Sequence, residues 1–247
     1  METKNSSKDI FVVPAIILSL GLIISSAFAV YTFYKIRALD NNLSVTGSAK
    51  TRVTSDSVKW SSTISRTVTQ SSMKDGYREL SADMDIIKKF LAVKGVADSE
   101  VTISPVFTNE IYKYNPSGDT GPREYNLIQT ITINSTDVPK ITEMAKNTQD
   151  IINRGVFFST QSPEYYYSKL SDLRISLLGD AIKDAKLRAD MLAKSSGGSA
   201  GAMRSASSGV VQVLSPNSIE VSDYGQYDTS SIEKDVMITV RASFSVN

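Results

Sequence analysis

From Ile10 to Tyr34 the chain runs for about 25 residues without a charge, IFVVPAIILSLGLIISSAFAVYTFY, and no other feature limits its fate as strongly. As a helix rising 1.5 Å per residue the run reaches roughly 37 Å, against a hydrocarbon core of about 30 Å, so it is long enough to cross a bilayer with some tilt. Pro14 falls near the first turn, where a missing amide donor costs little. Tyr31, Phe33 and Tyr34 sit where an interfacial aromatic belt would be, and Lys35 and Arg37 follow just outside it. A competing reading is a signal peptide cleaved after Ala29, because Ala27-Phe28-Ala29 is a small-x-small tripeptide and Ile10 to Ile24 just fits an export-signal core. Asp9 at the edge of that core and the apolar continuation past Ala29 favour the retained anchor. The expected organisation is a short cytoplasmic tail over 1–9, an anchor over 10–34, a juxtamembrane linker over 35–42 and a folded domain over 43–247. Two basic residues precede the run and two follow it, so the positive-inside count leaves the orientation open.

The other constraint is an absence. The 247 residues include no Cys and no His, which excludes disulfides, thiolate nucleophiles, imidazole bases and Cys/His zinc sites. Carboxylates, Lys, Ser/Thr and Tyr are what remain for chemistry. Lys and Arg number 27 against 26 Asp and Glu, and four of the basic residues flank the apolar run, so no basic stripe is left for nucleic acid.

Beyond Leu43 the pattern turns to strands. In SVKWSSTISRTV, Val58, Trp60 and Ile64 alternate with Lys59, Ser61 and Ser65, which predicts a half-buried strand. Tyr77, Leu80, Met84, Ile87 and Leu91 recur at spacings of three and four, predicting a helix over about 72–93 that stops at Gly95. A strand over about 101–114, interrupted by Pro105, and the turn-rich loop NPSGDTGPR lead to the partner strand YNLIQTITIN. A second helix is expected over about 138–153, closing at Gly155, and the strand VFFSTQS follows. The third helix is expected from about Glu164 or Ser168 to Lys194, with Leu170, Leu173, Leu177, Ala181, Ala185, Ala189 and Leu192 as its buried stripe. Its small alanines at every fourth position allow close approach to a sheet. Ser195 to Gly209 reads as a loop or weak strand entry, and VVQVLSP and DVMITVRASFSV close the chain as strands. The order β-β-α-β-β-α-β-α-β-β implies an α+β protein, a largely antiparallel sheet with helices on one face.

These residues carry a resemblance. LSVTGSAKTRVTSDSVKWSSTIS is similar to the opening strand pair of the SIMPL-domain family, with Ser55-Asp56 where the family often has Pro-Asp. The helix ending KGV, the pair Tyr112 and Tyr114, EYNLIQTITIN and AIKDAKLRADMLA from Ala181 match in order and type. The resemblance covers roughly 42–247 and departs in the Ser/Gly-rich stretch 195–209. It implies a bacterial extracytoplasmic domain of the oxidative-stress-defence type, exported by a signal or held by one N-terminal helix, with homo-oligomers among its members. It also implies the N-terminus in and the domain outside. No catalytic residues are carried over with it.

Candidate chemistry is sparse. Asp83 and Asp85 are two apart on a helix and do not face one another, so they read as solvated. Glu164 beside Tyr165, Tyr166 and Tyr167 is the candidate binding surface, although alternation along a strand places at least one Tyr in the core. Trp60 reads as core or interface. SSGGSAG from Ser195 follows a helix C-terminus, the wrong end for a phosphate cradle. The pairs Asp184/Arg188 and Asp190/Lys194 read as a solvated face. No cofactor, metal or catalytic residue is expected. The expected role is a membrane-anchored, non-enzymatic domain that binds copies of itself or an envelope protein partner and supports stress tolerance. The alternative is a small-ligand-binding protein or enzyme with a carboxylate- and Tyr-lined pocket.

Overall fold

The computed structural model describes residues 9–39, 42–112 and 121–246, so Tyr114 and most of the turn-rich loop before Tyr125 lie outside the described residues. The first element is helix α1 (Asp9–Leu39), which continues through Pro14 although that proline, the sixth residue of the helix, lies past the first turn. From Val12 to Lys35 it is apolar and unburied, and long enough to cross a membrane. The remaining chain is α+β, with two antiparallel-rich sheets; the described residues, α1 included, divide into two compact units, one within 1–49, 178–209 and 239–247, the other within 50–177 and 210–238.

In the larger unit, β2 (Ser57–Thr69) pairs with β5 (Glu124–Ser135) over an unbroken antiparallel register from Val58↔Ser135 to Thr69↔Glu124. Strands β3 (Val101–Ile103) and β4 (Phe107–Ile111) flank β5, separated by the break expected at Pro105. Strands β6 (Phe158–Thr160) and β7 (Glu164–Tyr166) flank β2 on its other side. Helix α2 (Met73–Val93) covers one face of this sheet and ends where Gly95 turns with φ +72°, a conformation glycine adopts without steric cost. The second helix is two pieces, α3 (Val138–Lys146) and α4 (Gln149–Ile152). Asp137 caps α3 by accepting the Lys140 N–H at 3.1 Å.

Val58, Trp60 and Ile64 meet Leu80, Met84, Ile87 and Leu91 in the core, with Ile141, Met144 and Ile151 closing it from α3 and α4. One member of the expected stripe falls outside: Tyr77 is 42% exposed and its hydroxyl meets Thr108 Oγ1 at 2.8 Å. The pattern is right, but a phenol at the rim of a sheet gains more from a polar partner than from burial.

In the smaller unit, helix α5 (Leu170–Ser195) contributes its later turns. Ala181, Ala185, Ala189 and Ala193 are buried, whereas Leu192 is 52% exposed. The strict spacing of four continues through Ala193, so Leu192 rotates out of the stripe. The alanines bring a backbone against the helix: a Cβ on Gly47 of β1 (Asn42–Thr54) would lie 2.8 Å from the Ala185 Cα and collide with the Ala181 carbonyl. The Ser48 N–H donates to Asp184 at 2.8 Å, so the pair Asp184–Arg188 forms but also ties β1 down. Asp190 pairs with Lys186 at 3.0 Å rather than with Lys194. Residues 200–208 are a full strand, β8 (Ala200–Ser208), paired antiparallel with β11 (Glu233–Val246), and not a loop. Back in the larger unit, β9 (Gln212–Leu214) pairs with the start of β11 and with β10 (Gln226–Tyr227).

Candidate functional site

The stretch Glu164 to Tyr167 holds its place because β7 adds to the edge of β2, with Lys59 opposite Glu164 and Val58 opposite Tyr165. Alternation then sorts the side chains. Tyr165 turns into the core, 6% exposed, and its hydroxyl meets Thr142 Oγ1 at 3.0 Å. Tyr166 turns the other way and donates its hydroxyl proton to Glu164 at 2.6 Å, while Lys59 donates to the same carboxylate oxygen at 3.3 Å. Those two donors, Tyr166 first, hold the Glu164 carboxyl below its ordinary range. The same hydrogen bond, with burial, pushes the Tyr166 phenol up to about 12. A phenol that holds its proton that tightly is a poor acid or base near neutrality. The Tyr167 N–H donates to the Tyr227 hydroxyl at 2.9 Å, and the Tyr166 and Tyr227 rings lie 5.9 Å apart.

Behind Tyr227 lies a feature that periodicity did not single out. Lys234 is fully buried, on the same face of β11 as Val236 and Ile238. Its ammonium donates to the carbonyls of Asp228 and of Ser231, the latter at 2.7 Å, and sits 5.6 Å from the centre of the Tyr227 ring. Burial lowers the Lys234 pKa, partly offset by the Asp228 carboxylate 3.8 Å away. Burial works against ionised Asp228 as well, but the hydroxyls of Ser230 and Ser231, the Ser230 N–H and Lys234 bring it down to about 2. Asp235, the next residue, is 1% exposed. It accepts from Arg52 Nε at 2.9 Å, Lys50 Nζ at 2.7 Å and the Asn217 N–H at 3.2 Å, and these donors hold its carboxyl far below the usual range. The two neighbours therefore pin the loop 215–232 from both faces of one strand. The signal in the sequence was a lysine at an inward position of an otherwise apolar alternation.

The other candidates divide. Asp83 is not solvated: it is 4% exposed and receives a forked hydrogen bond from Arg66, Nε at 2.7 Å and Nη2 at 2.8 Å. Asp85 is exposed. The two are not brought together. Trp60 is core, 2% exposed, its Nε1–H donating to Thr160 Oγ1 at 2.6 Å. An apolar void of about 10 Å³ beside it, lined by Ile87, Leu91, Ile131 and Phe158, has room for about one water. Ser195 to Gly201 follows the C-terminus of α5 and leads directly into β8. Tyr31, Phe33 and Tyr34 are exposed on α1, with the Lys35 ammonium 5.8 Å from the Tyr31 ring; Arg37 belongs to the same helix, and its side chain lies outside the described residues. Among the described residues no group of three acidic side chains is placed to hold a metal ion.

Geometrically, the cluster is a set of mutually satisfied polar groups that locks loop and strand together. A family model, SIMPL, described as a protein of unknown function, matches residues 43–246. No curated protein matches the chain.

Proposed function

The chain belongs to the SIMPL family, and from that premise we propose that it is a single-pass membrane protein whose extracytoplasmic domain works by binding, to an envelope protein partner or to copies of itself, and not by catalysis. The observation that carries the anchored reading is α1. It continues as one helix through Ala27-Phe28-Ala29 to Leu39, and its span from Val12 to Lys35 finds no protein surface to bury against. An apolar helix of that length, unburied in water, would expose a large apolar surface at heavy cost, and a bilayer removes that cost. Binding is favoured over catalysis by the saturation of the Glu164 cluster, where carboxylate, phenol and ammonium already answer one another. A role in stress tolerance would run through envelope integrity or a partner. The chain has no thiol; Met84 and Met144 are buried, and the exposed Met191 and Met203, at 73% and 47%, are the sulfurs an oxidant would reach, with no thiol to relay the change.

The test is fractionation of cells making the full chain, with N-terminal sequencing and external protease digestion of intact cells. A membrane-bound chain that keeps its N-terminus and loses its domain to outside protease is expected. A mature chain starting at Val30, or intact chain in the soluble fraction without detergent, would refute the anchor. Sedimentation of the detergent-solubilised chain reads the subunit number, and a monomer at high concentration would remove self-assembly.

A further inference from the structure

Tyr224 and Ile219, 97% and 92% exposed, stand further into solvent than any other large apolar side chain among the described residues, and Val221 between them is 61% exposed. All three belong to the loop 215–225, which joins β9 to β10 within the larger unit. A slack loop would lay such side chains against the domain to remove them from water. This one is gripped at three places. At its start the Asn217 N–H donates to buried Asp235 at 3.2 Å, and Asn217 takes φ +63°, the one non-glycine residue in the left-handed region among the described residues. Further on, the buried Gln212 holds Ser222 twice: its amide donates to the Ser222 carbonyl at 2.5 Å, and its oxygen accepts the Ser222 N–H at 3.4 Å. At its end the Gly225 N–H donates to the same carbonyl at 3.1 Å, with φ +85°. Between the grips, the Glu220 N–H on Ser218 Oγ at 3.3 Å is the one backbone group of residues 219–221 with a partner among the described residues. Two buried polar side chains and a strained turn therefore aim the loop outward.

Charge decides what such a loop can meet. Glu220 and Asp223 are interleaved with the apolar residues, both exposed, and neither has an ion-pair partner among the described residues. The chain has no Lys or Arg between Arg204 and Lys234, and Lys50 and Arg52 at the base of the loop are engaged by Asp235. A bilayer would take up the apolar side chains but would draw two carboxylates after them with no counter-charge. A second copy meeting the loop across a two-fold axis would set those carboxylates against their own images. A protein surface with apolar pockets and a rim of Lys or Arg answers both kinds of side chain, and a loop already fixed loses little freedom on binding it.

We propose that the loop 217–225 docks, through Ile219, Val221 and Tyr224 with Glu220 and Asp223, into an apolar groove rimmed by basic residues on an envelope protein. This names the surface and the partner chemistry of the binding role above and rests on that reading, but not on self-assembly. The experiment places the photo-crosslinking residue p-benzoylphenylalanine at position 224 of the full chain, irradiated in cells of the organism that natively makes it. One discrete protein adduct is expected, and its yield should follow the charge. Glu220→Lys combined with Asp223→Lys should lower the yield at least about fivefold, and Ile219→Ser should lower it as well. Asp85→Lys, a charge reversal at an exposed position of α2, should leave it unchanged. The side chains replaced in the loop are exposed, so melting temperatures should not move. No adduct, an adduct with the mass of two copies, a lipid adduct, or a protein adduct indifferent to the reversals in the loop would each overturn the proposal. A second probe at Tyr112, 87% exposed in the same unit, separates the two readings. A protein adduct at 112 but not at 224 leaves the binding role standing and removes the loop from it, whereas adducts at neither position remove both.

Discussion

Replacing Asp235 by alanine tests whether the loop 215–232 is held by one buried carboxylate. Its 1% exposed side chain takes hydrogen bonds from Arg52, Lys50 and the Asn217 N–H. Breaking a fully buried ion pair costs about 3–5 kcal/mol. Lys50 and Arg52 are about half exposed, 48% and 49%, so water recovers much of their share, and surface pairs contribute about 0–1 kcal/mol each. To these is added the hydrogen bond from the Asn217 N–H, which as a bond to a charged acceptor contributes about 1.5–3 kcal/mol. The sum is about 2–3 kcal/mol, or a fall of roughly 5–10 °C in Tm for a domain of this size. The pH dependence gives an independent check. The folded pKa of Asp235 lies below its unfolded value of about 3.9, so its contribution is whole above that value and is lost as pH falls toward the folded pKa. Thermal melts of wild type and Asp235→Ala, followed by far-UV circular dichroism at several pH values, should show the widest gap near neutrality. Below about pH 3.9 the gap should narrow by up to about 1.4 kcal/mol per pH unit. A gap under about 1 kcal/mol near neutrality, or one of constant width down to about pH 2.5, would refute the reasoning.

Other perturbations probe other parts of the fold. Gly47→Val drives a side chain into the backbone of α5 at Ala181 and Ala185, and overpacking of this kind should cost at least about 1–3 kcal/mol, read as a lowered Tm. Asp83→Ala strands Arg66 with only the exposed Glu79, and a loss of about 2 kcal/mol is expected because Arg66 itself is one-third exposed. As the sole tryptophan, Trp60 should emit at short wavelength and resist acrylamide quenching until the core unfolds; ready quenching in the native state would contradict its 2% exposure.

The elements that depend on local spacing were legible beforehand. The uncharged run gives α1, alternation gives β2, the three-four spacing gives α2, and Gly95 and Gly155 mark stops at positive φ. Where a local reading slipped, a partner at long range decided the matter. Residues 200–208 read as a loop or a weak strand entry because Ser, Gly and Ala have little intrinsic preference for a strand, and the ladder with β11 decides for the strand by supplying their backbone hydrogen bonds. The break between α3 and α4 and the rotation of Leu192 out of its stripe are choices of packing that a periodic pattern tolerates either way.

Composition by itself excludes thiolate, imidazole and Cys/His zinc centres, and the apolar run is a segment that water solvates poorly. The fate of individual charges was decided elsewhere. Asp83 reads as a surface residue because carboxylates favour water, and for it, as for Asp235, only pairing makes burial tolerable. Arg52 and Asp235 are 183 residues apart, and no short-range pattern connects them. Whether a charge is solvated or buried depends on which strands become neighbours, and that is set by the tertiary structure as a whole.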